Sequence, residues 1–354
     1  MTLEFIFLQN LFPMVHFDCD YMSGAHPEVL DAICRYNAVQ TSGYGADKFC
    51  DKAKDIIREA CDVPEAGIEF LAGGTQTNAT VIDALLGRTQ GVIAVESGHI
   101  NVHEAGAIEL CGHKVITLPS HEGKMCPSEL GDYLRNFFAD ETWPCMVCPG
   151  AVYISFPTEL GTIYTRPELE SIHSICREYN IPLFIDGARL GFGLAASEDL
   201  AIKDIAHLCD VFYIGGTKMG AIYGEAAVCT NPALMPSLRS IMKAHGAIMA
   251  KGKFLGIQFA QLFTNDLYYR IGRNGVDRAM ELRRIFEEKG FRRTIDSPTN
   301  QQFFVLPNEL IDRLLPEVSF EYWGPRGEAV SMVRFVTSWE TTPEDIEELR
   351  RVIG

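Results

Sequence analysis

The sequence has little positive charge and no long apolar run, and both deficits exclude classes of protein. Its 354 residues include 31 Lys or Arg against 47 Asp or Glu, which gives a net charge of −16. A surface that binds nucleic acid or an anionic membrane needs a basic patch to neutralise phosphates. No stretch reaches the roughly 18 apolar residues that a transmembrane helix requires. We therefore expect neither a nucleic-acid partner nor a membrane span.

The sequence also lacks the marks of secretion and of a structural zinc site. The apolar N-terminus, MTLEFIFLQNLFPMVHF, has no Lys or Arg before its apolar part and no small-residue cleavage site, so it does not match a signal peptide. The 11 cysteines are an odd number without framework spacing, which predicts reduced thiols in the cytosol. Cys145 and Cys148 have no second CxxC pair, so we expect them to pack in the core.

What is present is an ordinary globular composition, 47% hydrophobic and 22% charged. The length suggests two domains, or one domain with an appendage. Strands and helices alternate up to about residue 230, which predicts a mostly parallel sheet covered by helices. Beyond that point only QQFFVLP, MVRFVTS and SFEYW look like strands, so a smaller α+β domain is expected there. No internal repeat or low-complexity segment is visible.

Two apolar runs, Ile181–Ile185 and Val211–Ile214, predict buried parallel strands because neither alternates polar with apolar residues. Asp186 follows the first run and Lys218 follows the second. In open α/β sheets, ligands bind at the carboxyl ends of the strands. An acid and a lysine at that edge suit pyridoxal phosphate (PLP), whose aldehyde takes a lysine and whose ring nitrogen takes a carboxylate.

A glycine-rich turn adds a candidate phosphate site. The predicted strand Ile68–Leu71 leads directly into AGGTQTNATVIDALL, where a helix begins. Free N–H groups at a helix N-terminus hold phosphate, Gly73 and Gly74 allow close approach, and Thr75 supplies a hydroxyl. Many ordinary helix N-termini have the same sequence pattern. The turn is therefore a candidate phosphate site only because Asp186 and Lys218 follow other strands of the same sheet.

Four further residues have open interpretations. His99 and His103 lie on one face of a helix but lack a zincin glutamate, so core contacts compete with metal binding, and no metal site is predicted. Tyr44, between two glycines, is either a surface aromatic or part of a cleft. Arg334 interrupts the apolar strand MVRFV, where it forms a structural salt bridge or clamps a substrate carboxylate.

From Phe17 to its end, the chain resembles the threonine aldolase/β-eliminating lyase family of PLP enzymes, which have the aspartate aminotransferase fold (fold type I). Seven motifs in the right order carry the resemblance: Asp20–Pro27, Gly43–Asp47, Gly73–Asn78, Gly98–Glu109, Asp186–Gly191, Gly215–Ala221 and Arg334–Trp339. The fold implied is an α/β large domain with a mostly parallel sheet and a small C-terminal α+β domain.

The resemblance implies a role for each matching residue. Lys218 would carry the cofactor, Asp186 would bind its ring nitrogen, and His99 would stack on its ring. Gly74, Thr75 and Gln76 would hold the phosphate, with Thr217 nearby. Arg189 would lie near the cofactor and the substrate carboxylate, which Arg334 would clamp, while Ser23 and Tyr44 complete the expected substrate site.

The sequence departs from the threonine aldolase pattern at three places. Cys19 stands where threonine aldolases commonly have a serine, with Ser23 as a possible replacement. The glycine-rich stretch with an arginine becomes HGAIMAKG, in which only Lys251 is basic. Ser338 replaces the usual histidine after the Arg334 strand. The cofactor site is therefore carried over more fully than the substrate site.

The resemblance predicts a homodimer or homotetramer, with its active site near the subunit interface, that cleaves a β-hydroxy amino acid to glycine and an aldehyde. The reduced cysteines predict a cytoplasmic location. His99, His103, His121 and His245 are candidates for the base. β-Elimination from a β-substituted amino acid is the alternative, and a nucleotide-binding module without PLP is a remote one.

The expected domains are an N-terminal extension (1–16), a large domain (17–245) and a small domain (246–354). Met14 is a possible second start.

Overall fold

The computed structural model describes residues 14–354, which form two compact units. One, the contiguous unit, is Gly24–Arg273. The other, the composite unit, joins the described residues up to Ser23 to Asn274–Gly354. The predicted extension lies mostly outside the described residues, and the division into 17–245 and 246–354 stays a prediction. Across residues 14–354, no helix combines the length and the apolar character needed to cross a membrane.

The contiguous unit is built around one seven-stranded sheet with the order β2-β8-β7-β6-β5-β3-β4. Its strands are β2 (Gly67–Leu71), β3 (Gln90–Val95), β4 (Lys114–Leu118), β5 (Cys148–Ser155), β6 (Leu183–Asp186), β7 (Val211–Gly215) and β8 (Glu225–Cys229). Neighbouring strands are parallel from β7 to β4, whereas β8 is antiparallel to both β7 and β2. The expected mostly parallel sheet is confirmed.

Helices flank this sheet and connect its strands. They are α1 (Pro27–Tyr36), α2 (Lys48–Cys61), α3 (Gly74–Leu85), α4 (His99–Val102), α5 (Ala107–Leu110), α6 (Pro127–Ala139), α7 (Arg166–Glu178), α8 (Leu190–Ala196), α9 (Ile202–His207), α10 (Leu238–Ala244) and α11 (Lys253–Leu262). Single 3₁₀ turns lie at Trp143–Cys145, Pro232–Leu234 and Thr264–Asp266. Prolines in the first turns of α1, α6 and α7 fit a position whose N–H has no helical partner.

The core of the contiguous unit explains why its strand sequences are apolar throughout. All residues of β6 and β7 are buried, since helices cover both faces of the sheet. The predictions of buried strands at Ile181–Ile185 and Val211–Ile214 are therefore confirmed. Because β6 and β7 are parallel neighbours, Asp186 and the turn that holds Lys218 lie at the same edge of the sheet.

The composite unit contains the last helices and two small sheets. Helix α12 (Leu267–Glu288) leads into it, followed by β9 (Gln301–Pro307), α13 (Asn308–Leu314), β10 (Val318–Ser319), β11 (Glu321–Tyr322), β12 (Val330–Val336) and α14 (Pro343–Ile353). Strands β11, β12 and β9 form an antiparallel sheet, and β1 (Val15–His16) pairs in parallel with β10. Buried Phe17, Phe286, Phe304 and Phe335 contribute to its core. The strand expected at SFEYW is two short strands in different sheets, separated by the buried Phe320.

Candidate active site

Asp186 is the last residue of β6, and its carboxylate is enclosed by hydrogen-bond donors. The side chain is 4% exposed. Its Oδ2 accepts from Tyr153 Oη at 2.6 Å and from Asn78 Nδ2 at 2.9 Å, and its Oδ1 accepts from the Ala188 N–H at 2.9 Å. Tyr213 also hydrogen-bonds to it. A buried carboxylate with this many donors is held in one position.

These contacts keep Asp186 ionised despite its burial. Burial raises the pKa of the Asp186 carboxyl, but the charge of His99 and the hydrogen bonds from Tyr153, Tyr213 and Ala188 lower it more, so the net shift is downward. Burial raises the pKa of both tyrosines well above their usual value, so each phenol keeps its proton and donates it. The group at the end of β6 is therefore a fixed negative charge.

His99 begins α4 and is paired with a buried glutamate five residues later. His99 Nδ1 lies 2.7 Å from Glu104 Oε1, and the same oxygen accepts from Asn78 Nδ2 at 2.7 Å. Burial lowers the pKa of His99, but the Glu104 hydrogen bond and the charges of Asp186 and Glu104 raise it more, so the net shift is upward. Asn78 thus bridges the carboxylates of Glu104 and Asp186, which fixes His99 and Asp186 relative to each other.

A second glutamate orients the start of α4. Glu159 Oε1 accepts from the His99 N–H at 2.9 Å and from Ser155 Oγ at 2.6 Å. Burial raises the pKa of Glu159, which is 8% exposed. Because Ser155 ends β5, this contact ties the backbone of His99 to the same edge of the sheet.

Lys218 lies in the tight turn Thr217–Gly220 that follows β7. The side chain is half-buried, and its charge acts on both His99 and Glu225. A side chain at Gly215 would place its Cβ 2.3 Å from the Ala188 carbonyl oxygen, so only glycine fits where β7 ends against the Asp186 loop. This close approach brings the lysine turn beside the end of β6.

Glu225, at the start of β8, anchors the lysine turn. It accepts from the Gly216 N–H at 2.9 Å and from Thr217 Oγ1 at 2.7 Å. Thr217 Oγ1 in turn accepts from the Gly224 N–H at 3.0 Å. Burial raises the pKa of Glu225 to about 7, against the hydrogen bonds and the Lys218 charge that lower it. The hydroxyl proton of Thr217, a predicted phosphate contact, is therefore donated to Glu225.

The predicted phosphate-binding turn is the start of α3, as expected. Gly73 is its N-cap, no side chain caps the helix, and its first turn has no acidic residue. A Cβ added at Gly73 would meet nothing within 4 Å, whereas one added at Gly74 would lie 3.2 Å from Tyr213 Oη. The Gln76 side chain turns back and accepts from the Ala72 N–H at 3.1 Å.

Arg189 and Tyr44, two predicted substrate residues of the contiguous unit, lie in surroundings that differ from each other. Arg189 is the half-buried N-cap of α8, three residues after Asp186. Tyr44 is 50% exposed, lies 4.7 Å from the Lys243 ammonium, and lines a narrow cavity with Glu69 and Arg239. None of the residues that contact Asp186 lines that cavity.

Ser23 and Arg334 belong to the composite unit. Ser23 lines a cavity of about 450 Å³ there, together with Cys19 and Ser338. Arg334 is 7% exposed, donates to Gln301 Oε1 at 3.0 Å, forms an ion pair with Glu321, and stacks 4.7 Å from the Trp323 ring. These contacts satisfy the structural interpretation of Arg334, and its role toward a carboxylate stays a prediction.

The four histidines considered as bases separate into different environments. The rings of His103 and His99 lie 5.5 Å apart. His121 is exposed and pairs with Glu129 at 2.9 Å. His245 pairs with Asp83 at 3.0 Å instead of with the Asp186 cluster.

Most of the residues that support Asp186, His99 and Lys218 were not predicted from the sequence. Asn78 and Glu104 were inside the motifs that carried the resemblance, but they were given no role. Glu225 had a usable signal, because it is a charged residue in the apolar run EAAVC, the same argument that identified Arg334.

A family model described as beta-eliminating lyase matches residues 17–305. The chain is 28% identical over 348 residues to a low specificity L-threonine aldolase of Pseudomonas aeruginosa, covering 95% of this chain and 96% of that protein. It also resembles the solved structure of Leishmania major threonine aldolase, at 40% identity and a TM-score of 0.91, covering 96% and 99% of the two chains.

A more distant likeness concerns the fold alone. Aspartate aminotransferase from Thermus thermophilus superposes with a TM-score of 0.68 at 15% identity, covering 98% of this chain and 94% of that one. The fold expected from the sequence is thereby confirmed.

Proposed function

The chain belongs to the beta-eliminating lyase family. We propose that it is a PLP-dependent aldolase, which cleaves the Cα–Cβ bond of a β-hydroxy amino acid. Glycine and an aldehyde are its products. One observation supports this proposal above all: an ionised Asp186, the His99–Glu104 pair and Lys218 lie at one edge of the sheet. The chain is also similar along its length to a threonine aldolase.

The side chains at this edge fit PLP. Asp186 offers a fixed negative charge for the ring nitrogen, and His99 offers a flat ring for its face. The N–H groups of Gly74, Thr75 and Gln76 lie in the first turn of α3, which no side chain caps, so a phosphate there would find both donors and the positive end of the helix dipole. Lys218 supplies the amine. When bound, PLP acts as the electron sink that stabilises negative charge at Cα after a bond to it breaks.

The protein's own groups then hold protons in place. Asp186 would keep a proton on the ring nitrogen of bound PLP, because an ionised buried carboxylate favours a cation beside it. Asn78 and Tyr153 keep Asp186 from rotating away. Glu104 binds His99 Nδ1, so a proton taken up at the other ring nitrogen is stabilised, as in a triad. His99 is thereby the best-supported base for the β-hydroxyl, a step worth about 10²–10⁴-fold.

Two arginines are the proposed contacts of the substrate. Arg189 and Arg334 would bind the carboxylate of the amino acid, with Ser23 and Tyr44 as further contacts. An arginine matches a carboxylate through two parallel hydrogen bonds, which fixes the Cα–Cβ bond in one direction. The partner is a small amino acid.

Assembly and location complete the proposal. We propose a homodimer or homotetramer with the active site near a subunit interface, as the resemblance implied. We also propose a cytosolic location, which the 11 free thiols support because a reducing compartment preserves them.

The activity is tested with purified protein, PLP and L-threonine or L-allo-threonine, measuring glycine and acetaldehyde. Lys218→Ala should remove the bound-cofactor absorbance and the activity, whereas Lys203→Ala, at an exposed lysine, should retain both. Borohydride should fix the cofactor to Lys218, as mapped by peptide mass spectrometry. Ammonia and a 2-oxo acid in place of glycine would indicate β-elimination, and labelling at another lysine would refute the assignment of Lys218.

A further inference from the structure

Away from Asp186, three potential metal ligands meet at the ends of three helices. Asp83 lies near the end of α3, Cys111 is the C-cap of α5, and His245 is the C-cap of α10. One carboxylate oxygen, the thiol sulfur and an imidazole nitrogen lie within 4.8 Å of one another. His245 Nε2 is 3.0 Å from Asp83 Oδ2 and 4.0 Å from Cys111 Sγ.

The His245 imidazole and the Asp83 carboxylate each have a second hydrogen-bond partner outside the cluster. His245 Nδ1 lies 3.1 Å from the hydroxyl of the buried Thr80, and Asp83 Oδ1 lies 3.1 Å from Nε2 of the buried His113. Ligand imidazoles and carboxylates in metal sites have such outer partners, which fix the ring tautomer and the orientation of the ligands.

The hydrogen bonds of His245 are compatible with a metal ion at Nε2. With its proton on Nδ1, the ring donates to Thr80 and presents the Nε2 lone pair to the Asp83 carboxylate, so a cation between these two atoms would be bound by both. With the proton on Nε2, Thr80 donates to Nδ1 and His245 donates to Asp83 without an ion. A hydrogen bond between His245 and Asp83 involves only those two groups, whereas the Cys111 sulfur lies 4.0 Å from both His245 Nε2 and the Ala79 carbonyl oxygen.

We propose that Asp83, Cys111 and His245 bind one zinc ion, with water in the fourth position. A thiolate with an imidazole and a carboxylate is a ligand set that suits Zn²⁺. Tetrahedral zinc places its nitrogen and sulfur ligands about 3.6 Å apart and its nitrogen and oxygen ligands about 3.4 Å apart. The observed nitrogen–sulfur distance of 4.0 Å and nitrogen–oxygen distance of 3.0 Å each differ from these values by about 0.4 Å. All three residues are partly exposed, so water can reach the ion.

Binding would release protons and join three elements. The thiol proton of Cys111 and any proton shared by His245 and Asp83 pass to solvent as Zn²⁺ takes their place. The ion would link the end of α3, whose first turn is the candidate phosphate site, to the ends of α5 and α10. The site was not expected from the sequence, because its ligands are 28 and 134 residues apart and form no spacing motif.

The test uses the PLP-loaded protein, freed of metal by a chelator and then dialysed against Zn²⁺ or Co²⁺. We expect one zinc per chain by elemental mass spectrometry. We also expect a thiolate-to-cobalt charge-transfer band in the cobalt form, and a higher thermal midpoint with zinc. Cys111→Ser should abolish the band and weaken zinc binding by at least about 100-fold. Cys34→Ser, at an exposed cysteine, is the matched control and should change neither.

His245→Gln provides a second variant that keeps all the thiols. It should weaken zinc binding as Cys111→Ser does, while the bound-cofactor absorbance and circular dichroism verify that the protein is folded. The proposal is overturned if the wild type retains no zinc, if the cobalt form lacks the thiolate band, or if Cys111→Ser binds zinc like the wild type. These measurements do not depend on aldolase activity, so they can fail independently of the proposed function.

Discussion

At the scale of single residues, the chemistry depends on the charge of Asp186. Asp186→Asn keeps the shape of the side chain but removes the negative charge that holds a proton on the ring nitrogen. We expect cofactor to remain bound and kcat to fall by about 10²–10³-fold, as when a preorganised electrostatic contact is lost. Asp210→Asn is the control, because Asp210 accepts from the Leu183 N–H at the opposite end of β6. Equal turnover in the wild type and Asp186→Asn would exclude this role.

Glu225 makes the stability of the cofactor-free protein depend on pH. Its folded pKa of about 7 lies above the ordinary value of 4.5, so the folded state holds the proton more tightly. This stabilisation is complete below pH 4.5 and is lost as the pH rises through 7, a change of about 3 kcal/mol.

Glu225→Gln should remove that component of the pH dependence. The difference between wild-type and variant unfolding free energies, from urea titrations at several pH values, should therefore decrease from pH 4.5 to 8. Glu198→Gln, at an exposed glutamate, should leave the wild-type profile unchanged. A constant difference between the wild type and Glu225→Gln would mean that Glu225 titrates normally.

Individual residues were predictable where their position on a strand determined their surroundings. Asp186 follows a buried apolar run and Lys218 follows the next, and in parallel neighbours both must reach the same edge. Glu104 and Glu225 were not predictable in this way. Their partners depend on how a short helix and an antiparallel strand fold back, which no periodicity in the sequence encodes.

At the scale of elements, the start of α2 depends on one buried side chain. Asp47 is 5% exposed, and its Oδ1 accepts from the N–H groups of Phe49 and Cys50 at 3.0 and 3.1 Å. Asp47→Ala should destabilise the protein by about 1 kcal/mol, because those donors lose their acceptor. Asp51→Ala, in the first turn of the same helix, is the control and should cost less in chemical denaturation. Equal losses would mean that charge alone, rather than capping, accounts for the effect.

Elements were predictable in proportion to their length and burial. The strands of the seven-stranded sheet have four to eight residues, and most show as apolar runs. Strands β1, β10 and β11 have two residues each, which is too short for a pattern to form. The antiparallel direction of β8 was not predictable either, since a buried strand looks the same in both directions.

At the scale of the whole molecule, the described chain is needed from its first strand onward. Phe17 is fully buried, and its backbone hydrogen-bonds to Ser319 and Val336. A chain that begins at Met14 keeps these contacts, so we expect it to fold, bind PLP and retain its oligomeric state by light scattering. Phe17→Ala in the same shortened chain should cost about 3–5 kcal/mol in denaturant titrations. Aggregation or dissociation of the Met14 chain would instead identify residues 1–13 as an assembly element.

The pairing of β1 with β10 also sets an order of events during synthesis. His16 and Ser319 are 303 positions apart, so a ribosome adding about 5–20 residues per second makes them roughly 15–60 s apart. Residues 24–273 are contiguous and can fold in that interval. During that interval β10 has not been synthesised, so β1 and the aromatic ring of Phe17 are accessible to chaperones and to other nascent chains. Completion of the composite unit is therefore a late, post-translational step.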